Sequence, residues 1–269
     1  MDHAAKKRLA TRLGRNKSAL SRVAQKADFI NTDAVRALLA QLRVELILTL
    51  RRGENLLITL VVPVVLLIFF GAVAANPPGF LVPGVLALAV MSTSMVSLGI
   101  ATAYERYYGV LKRLLGSPLS RGSLIAAKVF SVLLVEVVQI VLLVVMARLM
   151  FGWQPGGSLA LALLVLLVGT AAFAGLGLLM AGTLRAEATL AVANGLYLVF
   201  LLLGGFVLPL ERLPGPVALA ARALPAAALT DATRAALNGS DQGVLGPLAL
   251  LAGWAVVAMG AAALTFRPE

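Results

Sequence analysis

Apolar residues in this chain fall into long blocks, and the polar residues between the blocks are gathered into short stretches. No formal charge occurs from Asn55 through Tyr104, and then Glu105, Arg106, Lys112, Arg113 and Arg121 arrive within seventeen positions. After Lys128 the sequence turns apolar again for a membrane length. Blocks of about twenty apolar residues cross a hydrocarbon core of roughly 30 Å as helices. The pattern predicts six spans, at roughly Leu56–Ala75, Phe80–Ala103, Leu124–Met150, Leu159–Leu184, Ala188–Leu208 and Val244–Phe266. The third is longer than a crossing needs, which predicts a tilt. Asn76-Pro77-Pro78-Gly79 and Gly152 to Ser158 read as tight turns, because Pro and Gly punctuate helices. Only helices suit these blocks, since the bilayer core offers no partner to open backbone groups.

Ahead of the first span the pattern is different. Asn31, Thr32 or Asp33 can cap a helix start. Val35, Leu38, Leu39, Leu42, Leu46 and Leu50 then recur at helical spacing, with Arg36, Gln41 and Arg43 off the stripe. This predicts an amphipathic interfacial helix over 31–54, lying on lipid headgroups or packed on a partner protein. Arg51-Arg52-Gly53 would end it and turn the chain into the membrane. Residues 1–30 form a basic tail, expected to be mobile, with no apolar run like a signal-peptide core.

Composition agrees with the pattern. Of 269 residues, 60% are hydrophobic and 13% charged, and the mean hydropathy is +0.96. Soluble domains average roughly 45–50% apolar and roughly 25% charged residues. The chain therefore reads as an all-α integral membrane protein, with residues 55–269 as its six-span domain. It has no cysteine, and its one histidine is His3. Disulfides, thiolate chemistry, haem held by paired histidines and histidine-ligated zinc are thereby excluded, and no metal site is expected.

Orientation follows from the cations in the short loops. Through Glu54 there are twelve Lys or Arg against five Asp or Glu, a net of +7. Residues 104–123 carry four cations, the turn at Arg185 carries one, and the turns 76–79 and 152–158 carry none. Both termini are accordingly predicted to be cytoplasmic, with 104–123 a cytoplasmic loop and 209–243 an extracytoplasmic segment. The basic tail then reads as a topology determinant touching anionic headgroups. It is not read as a nucleic-acid-binding arm.

The loop itself reads as helix, break, helix, with the first helix running from Glu105 to Leu115. Tyr107, Tyr108, Val110, Leu111, Leu114 and Leu115 supply apolar contacts, Arg106, Lys112 and Arg113 supply charge, and Gly116-Ser117-Pro118 stops the turn. An ordinary retained loop gains nothing from aromatic and aliphatic residues in helical order, so the segment reads as a docking surface. Glu105 to Arg121, E-R-Y-Y-G-V-L-K-R-L-L-G-S-P-L-S-R, resembles the first cytoplasmic loop of ABC type-2 permeases. The resemblance covers about residues 34 to 266 and includes the outer motifs Leu208-Pro209, Leu213-Pro214, Leu224-Pro225, Asp231-x-x-Arg234 and Leu237-Asn238-Gly239. Tyr107 stands where that family usually has a second acid, and Val110 where it usually has threonine.

The resemblance implies a transmembrane permease subunit of an ATP-driven exporter of drugs, lipids or glycolipids. Two such subunits, identical or homologous, would assemble with two ATP-binding-cassette ATPase subunits. Glu105, Arg106, Tyr107, Tyr108, Leu111, Lys112, Arg113, Leu114, Leu115 and Pro118 become the ATPase-coupling candidates. The chain contains no G-x-x-x-x-G-K-[ST] phosphate loop, so ATP and Mg are expected on the partner, with no cofactor and no catalytic residue here. A Cys-free, Ala/Leu/Val-rich composition points to a bacterial plasma membrane as its location.

Polar groups inside the predicted spans are few. Glu136 and Gln139 lie three apart in the third span and share a face. An ionisable group at that depth is costly and marks a candidate site. The alternatives are a transport role or a protonated, hydrogen-bonded tie between helices. Asn194 in the fifth span reads first as a contact between helices, and after Glu136 and Gln139 it is the third substrate-pathway candidate. Arg148 is expected to snorkel to the headgroups. Gly169, Gly175, Gly177 and Gly182 read as close-packing positions.

Residues 209–239 are too apolar for a free loop and too interrupted by proline for a straight span. Val217–Leu224 and Ala226–Leu237 are predicted as short helices on the outer face, forming a sealing lid or a gate built on Pro209, Pro214, Pro225, Asp231 and Arg234. Two further functions stay open on sequence alone. One is a proton-coupled secondary transporter using Glu136, and the other a non-transporting membrane anchor for a cytoplasmic complex.

Overall fold

The computed structural model describes residues 53–73, 77–110, 121–206 and 209–265. The basic tail, the amphipathic helix apart from its last two residues, and the loop positions 111–120 lie outside the described residues. Eight α-helices are defined among those described: α1 Gly53–Val73, α2 Pro78–Tyr107, α3 Arg121–Phe151 and α4 Leu159–Thr183. They continue with α5 Ala186–Leu203, α6 Gly215–Arg222, α7 Pro225–Asn238 and α8 Asp241–Thr265. No strand occurs among the described residues. Five helices are long and apolar enough to cross a membrane, namely α2, α3, α4, α5 and α8, and the apolar stretch described in α1, Thr59–Ala72, is shorter.

Local chemistry sets the ends. Pro77 is extended (φ −61°, ψ 142°) and Pro78 opens α2, a first-turn position where the missing N–H costs no helical bond. Ser158 caps α4 by accepting from the Leu161 amide at 3.2 Å. Pro225 opens α7, and Gly239 closes it in the left-handed region at φ 80°.

The second span runs four residues beyond the predicted Ala103. It carries Tyr104 to Tyr107 as its own last turns, and the chain breaks at Gly109, φ 71°. The predicted helix from Glu105 to Leu115 is therefore corrected. A left-handed residue cannot continue an α-helix, and glycine adopts that conformation without a Cβ penalty. The fifth span likewise stops at Leu203, short of Leu208, because Gly205 turns the chain at φ 68°.

α2 is the axis of the bundle, and every residue from Leu81 to Met91 is buried. Its course contains a π-helical stretch, Ser92–Ser97, which inserts an extra residue into the turn. α8 lies along α4, and α7 packs on α8, α2 and α4. The backbones of α2 and α4 approach closely: a Cβ on Gly177 would sit 2.7 Å from the Met95 carbonyl oxygen, and one on Gly99 3.1 Å from the Gly177 Cα. Gly169 and Gly175 likewise back directly onto Leu229 and Met259, and Gly182 is buried. One long face of α3 points away from the bundle, with Phe130, Leu134, Val137, Val138, Val141 and Val145 exposed. An apolar helix face of that length is suited to lipid.

Candidate functional site

Three polar groupings interrupt the apolar bundle: one where the 104–123 loop joins it, one at mid-depth, and one under the short helices.

At the loop end, consecutive residues of α2 reach in different directions. Glu105 is 5% exposed and forms an ion pair with Lys128 of α3, itself 1% exposed. Two charges leave water together only when each compensates the other. Next to it, Arg106 donates from Nη1 to the Gly182 carbonyl oxygen at 2.6 Å and from Nη2 to that of Leu184. These carbonyls lie at the end of α4, where the last helical turn has no intrahelical donors and the helix dipole is negative. A guanidinium fork satisfies both conditions. Tyr104 packs with the buried Ala103, Ala181 and Ala186 at the same junction.

Tyr107 and Tyr108 instead face outward, with an edge contact between their rings (centroids 5.2 Å apart), and Tyr108 stacks on Tyr104 at 6.2 Å. Of the predicted coupling residues, Glu105 and Arg106 thus hold helices together, and Tyr107 and Tyr108 present surface. Leu111, Lys112, Arg113, Leu114, Leu115 and Pro118 lie outside the described residues. Sequence reasoning missed Lys128. Its signal was a lysine in the first turns of a span, 23 positions after an acid.

At mid-depth, Gln139 is fully buried and bridges two helices. It donates from Nε2 to the Thr59 carbonyl oxygen of α1 at 2.7 Å and accepts from Thr93 of α2 at 3.0 Å. Glu136, also buried, accepts from Thr170 of α4 at 2.5 Å, and its Oε1 has no partner among the described residues. The two residues share a helix side as the spacing predicts, yet they reach different neighbours.

Beside this cluster lies a cavity of about 400 Å³ walled by α1, α2 and α5. Thr59, Ser92, Ser97, Asn194 and Tyr197 give it polar atoms, aliphatic side chains fill the rest of the described wall, and no charged residue lines it among the described residues. Asn194 therefore borders the cavity, and among the described residues it donates only to its own helix, at the Leu190 carbonyl oxygen, 2.9 Å. Glu136 and Gln139 lie outside the lining. The π-helical stretch supplies Ser92, Val96 and Ser97, so the irregular turn of α2 opens onto the cavity.

Under the short helices, Arg234 of α7 plays the part Arg106 plays at the loop end. Its Nη2 donates to the Gly205 carbonyl oxygen at 2.9 Å and lies 3.4 Å from that of Phe80. The guanidinium carbon sits 3.8 Å from the Phe80 ring centre, within cation–π range. Asp231 Oδ1 is 3.6 Å from Nη1. Burial pushes the Asp231 carboxyl above its ordinary range, against the opposing pull of Arg234. Asn238 donates to the Gly79 carbonyl oxygen at 3.0 Å, and the Gly156 and Gly157 amides donate to that of Leu237 at 2.9 Å. Pro209 and Pro214 flank a 3₁₀ turn at Leu210–Arg212, and Pro225 begins α7. The predicted short helices appear as α6 and α7, and α7 is packed into the bundle, with ten of its residues buried.

No group of three or more His, Cys, Asp or Glu able to hold a metal occurs among the described residues. Comparison with curated proteins gives no match. Comparison with protein families matches residues 36–238 to the family described as ABC-2 type transporter. The match runs through α1 to α7 and includes the loop and the short helices. The chain belongs to the ABC-2 type transporter family, as a multi-pass membrane permease.

Proposed function

We propose that this permease is the membrane subunit of an ATP-driven exporter that moves a lipophilic or amphiphilic molecule, such as a drug, lipid or glycolipid, out of the cytoplasm or inner leaflet. Six spans, both termini cytoplasmic, and a bacterial plasma membrane complete the reading. Two permease copies, or one with a homologous permease, work with two ATP-binding-cassette subunits that hold ATP and Mg and dock on residues 104–121. Tyr107 and Tyr108 supply the described part of that surface.

The observation that carries the reading is the cavity between α1, α2 and α5, which no charged side chain lines among the described residues. Its volume falls within the range of about 300–1,000 Å³ usual for small-molecule sites. Hydroxyl and amide groups set among aliphatic side chains suit a molecule with one polar end, and a described lining without charge disfavours an ion. Cargo binding there would bias the bundle only through different affinities in its two arrangements.

The reading is tested by co-expressing the permease with an ATP-binding-cassette subunit and reconstituting the purified complex in liposomes. Amphiphile-stimulated ATP hydrolysis is expected, and Ser97→Phe, which fills the cavity, should abolish the stimulation. Failure of any ATPase subunit to copurify sinks the proposal. A second reading, proton-coupled transport through Glu136, draws support from that carboxyl's buried oxygen, which has no partner among the described residues. It requires transport that collapses with an uncoupler and ignores loss of the ATPase.

A further inference from the structure

The loop end contains a feature that docking does not need. Arg106 lies one residue after Glu105, on the α2 side of the loop, yet its guanidinium spans to the turn joining α4 and α5. That turn is short. α4 ends at Thr183, α5 begins at Ala186, and Thr189 of α5 donates back to the Arg185 carbonyl oxygen at 3.0 Å. Further along α5, Leu190, Asn194 and Tyr197 face the cavity. Glu105 meanwhile ties the same turn of α2 to Lys128, so the two helices flanking the loop are joined to each other.

Two kinds of contact meet at this junction, and they resist different motions. Ala103, Ala181 and Ala186 touch through small apolar surfaces. Such contacts have no fixed direction, and three alanines offer few atom pairs at about 0.1–0.2 kcal/mol each, so they oppose approach more firmly than withdrawal. The guanidinium's two charge-assisted hydrogen bonds have fixed direction and are lost if the turn lags behind α2. Among the described residues at this junction, the fork is the directional tie that makes the turn follow α2 when α2 withdraws.

We propose that Arg106 is a transmission residue: it carries displacement of the 104–121 loop into α5, and so into the cavity wall, without itself forming the docking surface. This rests on the reading above that an ATPase engages the loop. The Glu105–Lys128 pair acts with it as a brace, making α2 and α3 move together. Lysine at position 106 would keep the charge but replace the two-pronged fork with a single flexible ammonium.

The absence of cysteine makes the test direct. In the reconstituted complex, a spin label at Gly122→Cys, exposed in the first turn of α3, reports the foot of the loop. A second pair, Leu198→Cys on α5 with Val141→Cys on α3, both exposed, reports the distance between α5 and the rest of the bundle. With wild-type Arg106, both sites should change when ATP is added. With Arg106→Lys, the Gly122 label should still respond and the α5 distance should not, with transport reduced at least tenfold. Inserting one glycine between Leu184 and Arg185 leaves Arg106 in place and slackens the turn. It should give the same separation of responses, and it serves if Arg106→Lys does not yield a folded complex. A full α5 response in either variant overturns the proposal. Loss of both responses in Arg106→Lys also overturns it, since Arg106 would then act in docking. No response at either site in the wild type defeats instead the ATPase reading on which the proposal stands.

Discussion

Two arginines hold opposite ends of this bundle by similar means and in different settings. Arg106 donates to the carbonyls of Gly182 and Leu184, and Arg234 to that of Gly205 with Phe80 beside it. Each supplies donors where a helix end leaves carbonyls without them. Beside Arg106 is a deeply buried ion pair, Glu105–Lys128, linking two spans. Beside Arg234 the acid is Asp231, on the same short helix, longer in contact and about two-fifths exposed. The loop end therefore joins separate helices through charge. The short-helix end is held by backbone fit and by Arg234's bonds to neighbouring carbonyls, while its ion pair stays within one element. Charged ties tolerate a change of partner geometry with a step in energy, whereas close backbone packing admits one arrangement.

The largest effect that separates the two ends is expected at Lys128. Lys128→Met removes one member of a buried pair and should lower stability in detergent by about 3–5 kcal/mol, read by denaturant titration. Adding Glu105→Gln to it should restore most of the loss, because a neutral amide costs far less to bury than an uncompensated carboxylate. Asp231→Asn, its counterpart at the other end, should cost at most about 1 kcal/mol, as exposed pairs do. Equal losses at the two ends would erase the distinction.

Next in size is the backbone fit beneath the short helices. A Cβ on Gly84 of α2 would meet the Phe206 carbonyl oxygen at 2.0 Å, so one of the two backbones must move. Gly84→Ala should destabilise by about 1–3 kcal/mol, the usual range for overpacking a tight core. Gly195→Ala is the control. A Cβ there meets nothing within 4 Å, and α5 is helical throughout that turn. It should leave the melting temperature unchanged or slightly raised.

These cases also show what the sequence conveys. Five of the predicted spans were legible because apolar runs of that length have few other uses, and the short helices because proline marks their starts. Gly169, Gly175 and Gly177 were readable as packing positions, while Gly84 was not, since nothing in its own run announces that Phe206 lies against it. Glu105 and Arg106 read as the start of a loop for a physical reason. Charges after an apolar run read as exit from the membrane, but here the helix continues to Tyr107 and both side chains find partners far along the chain. The π-helical stretch was invisible because Ser92, Thr93 and Ser97 barely disturb the apolar pattern. The cavity it opens arises from three spans at once, and no linear reading assembles it.

A smaller effect tests the arginine at the short-helix end. Arg234→Gln keeps an amide donor but loses the second prong and the contact with the Phe80 ring. About 1–2 kcal/mol should go, in line with hydrogen bonds to a charged donor. If the short helices form a gate, the variant should also let a polar dye leak through liposomes holding the permease alone. If they form a lid, stability falls with no leak. Arg106→Gln should give no leak in either case, because it loosens the other end.

The smallest stability change is expected at Asn194, and there the smallness is informative. The sequence alone favoured a contact between helices, which would make Asn194→Ala destabilising by about 0.6 kcal/mol or more. Asn194 instead donates to Leu190 of its own helix and borders the cavity, with no partner on a neighbouring helix among the described residues. Removing it leaves no buried group without a hydrogen bond, since the Leu190 carbonyl oxygen stays within the α-helix. Asn194→Ala should therefore change stability by less than about 0.5 kcal/mol. If amphiphiles bind in the cavity, it should still shift the concentration at which they stimulate ATP hydrolysis, more for those with a hydrogen-bonding head than for purely apolar ones. A stability loss with no change in stimulation would return Asn194 to the helix contact that its position first suggested.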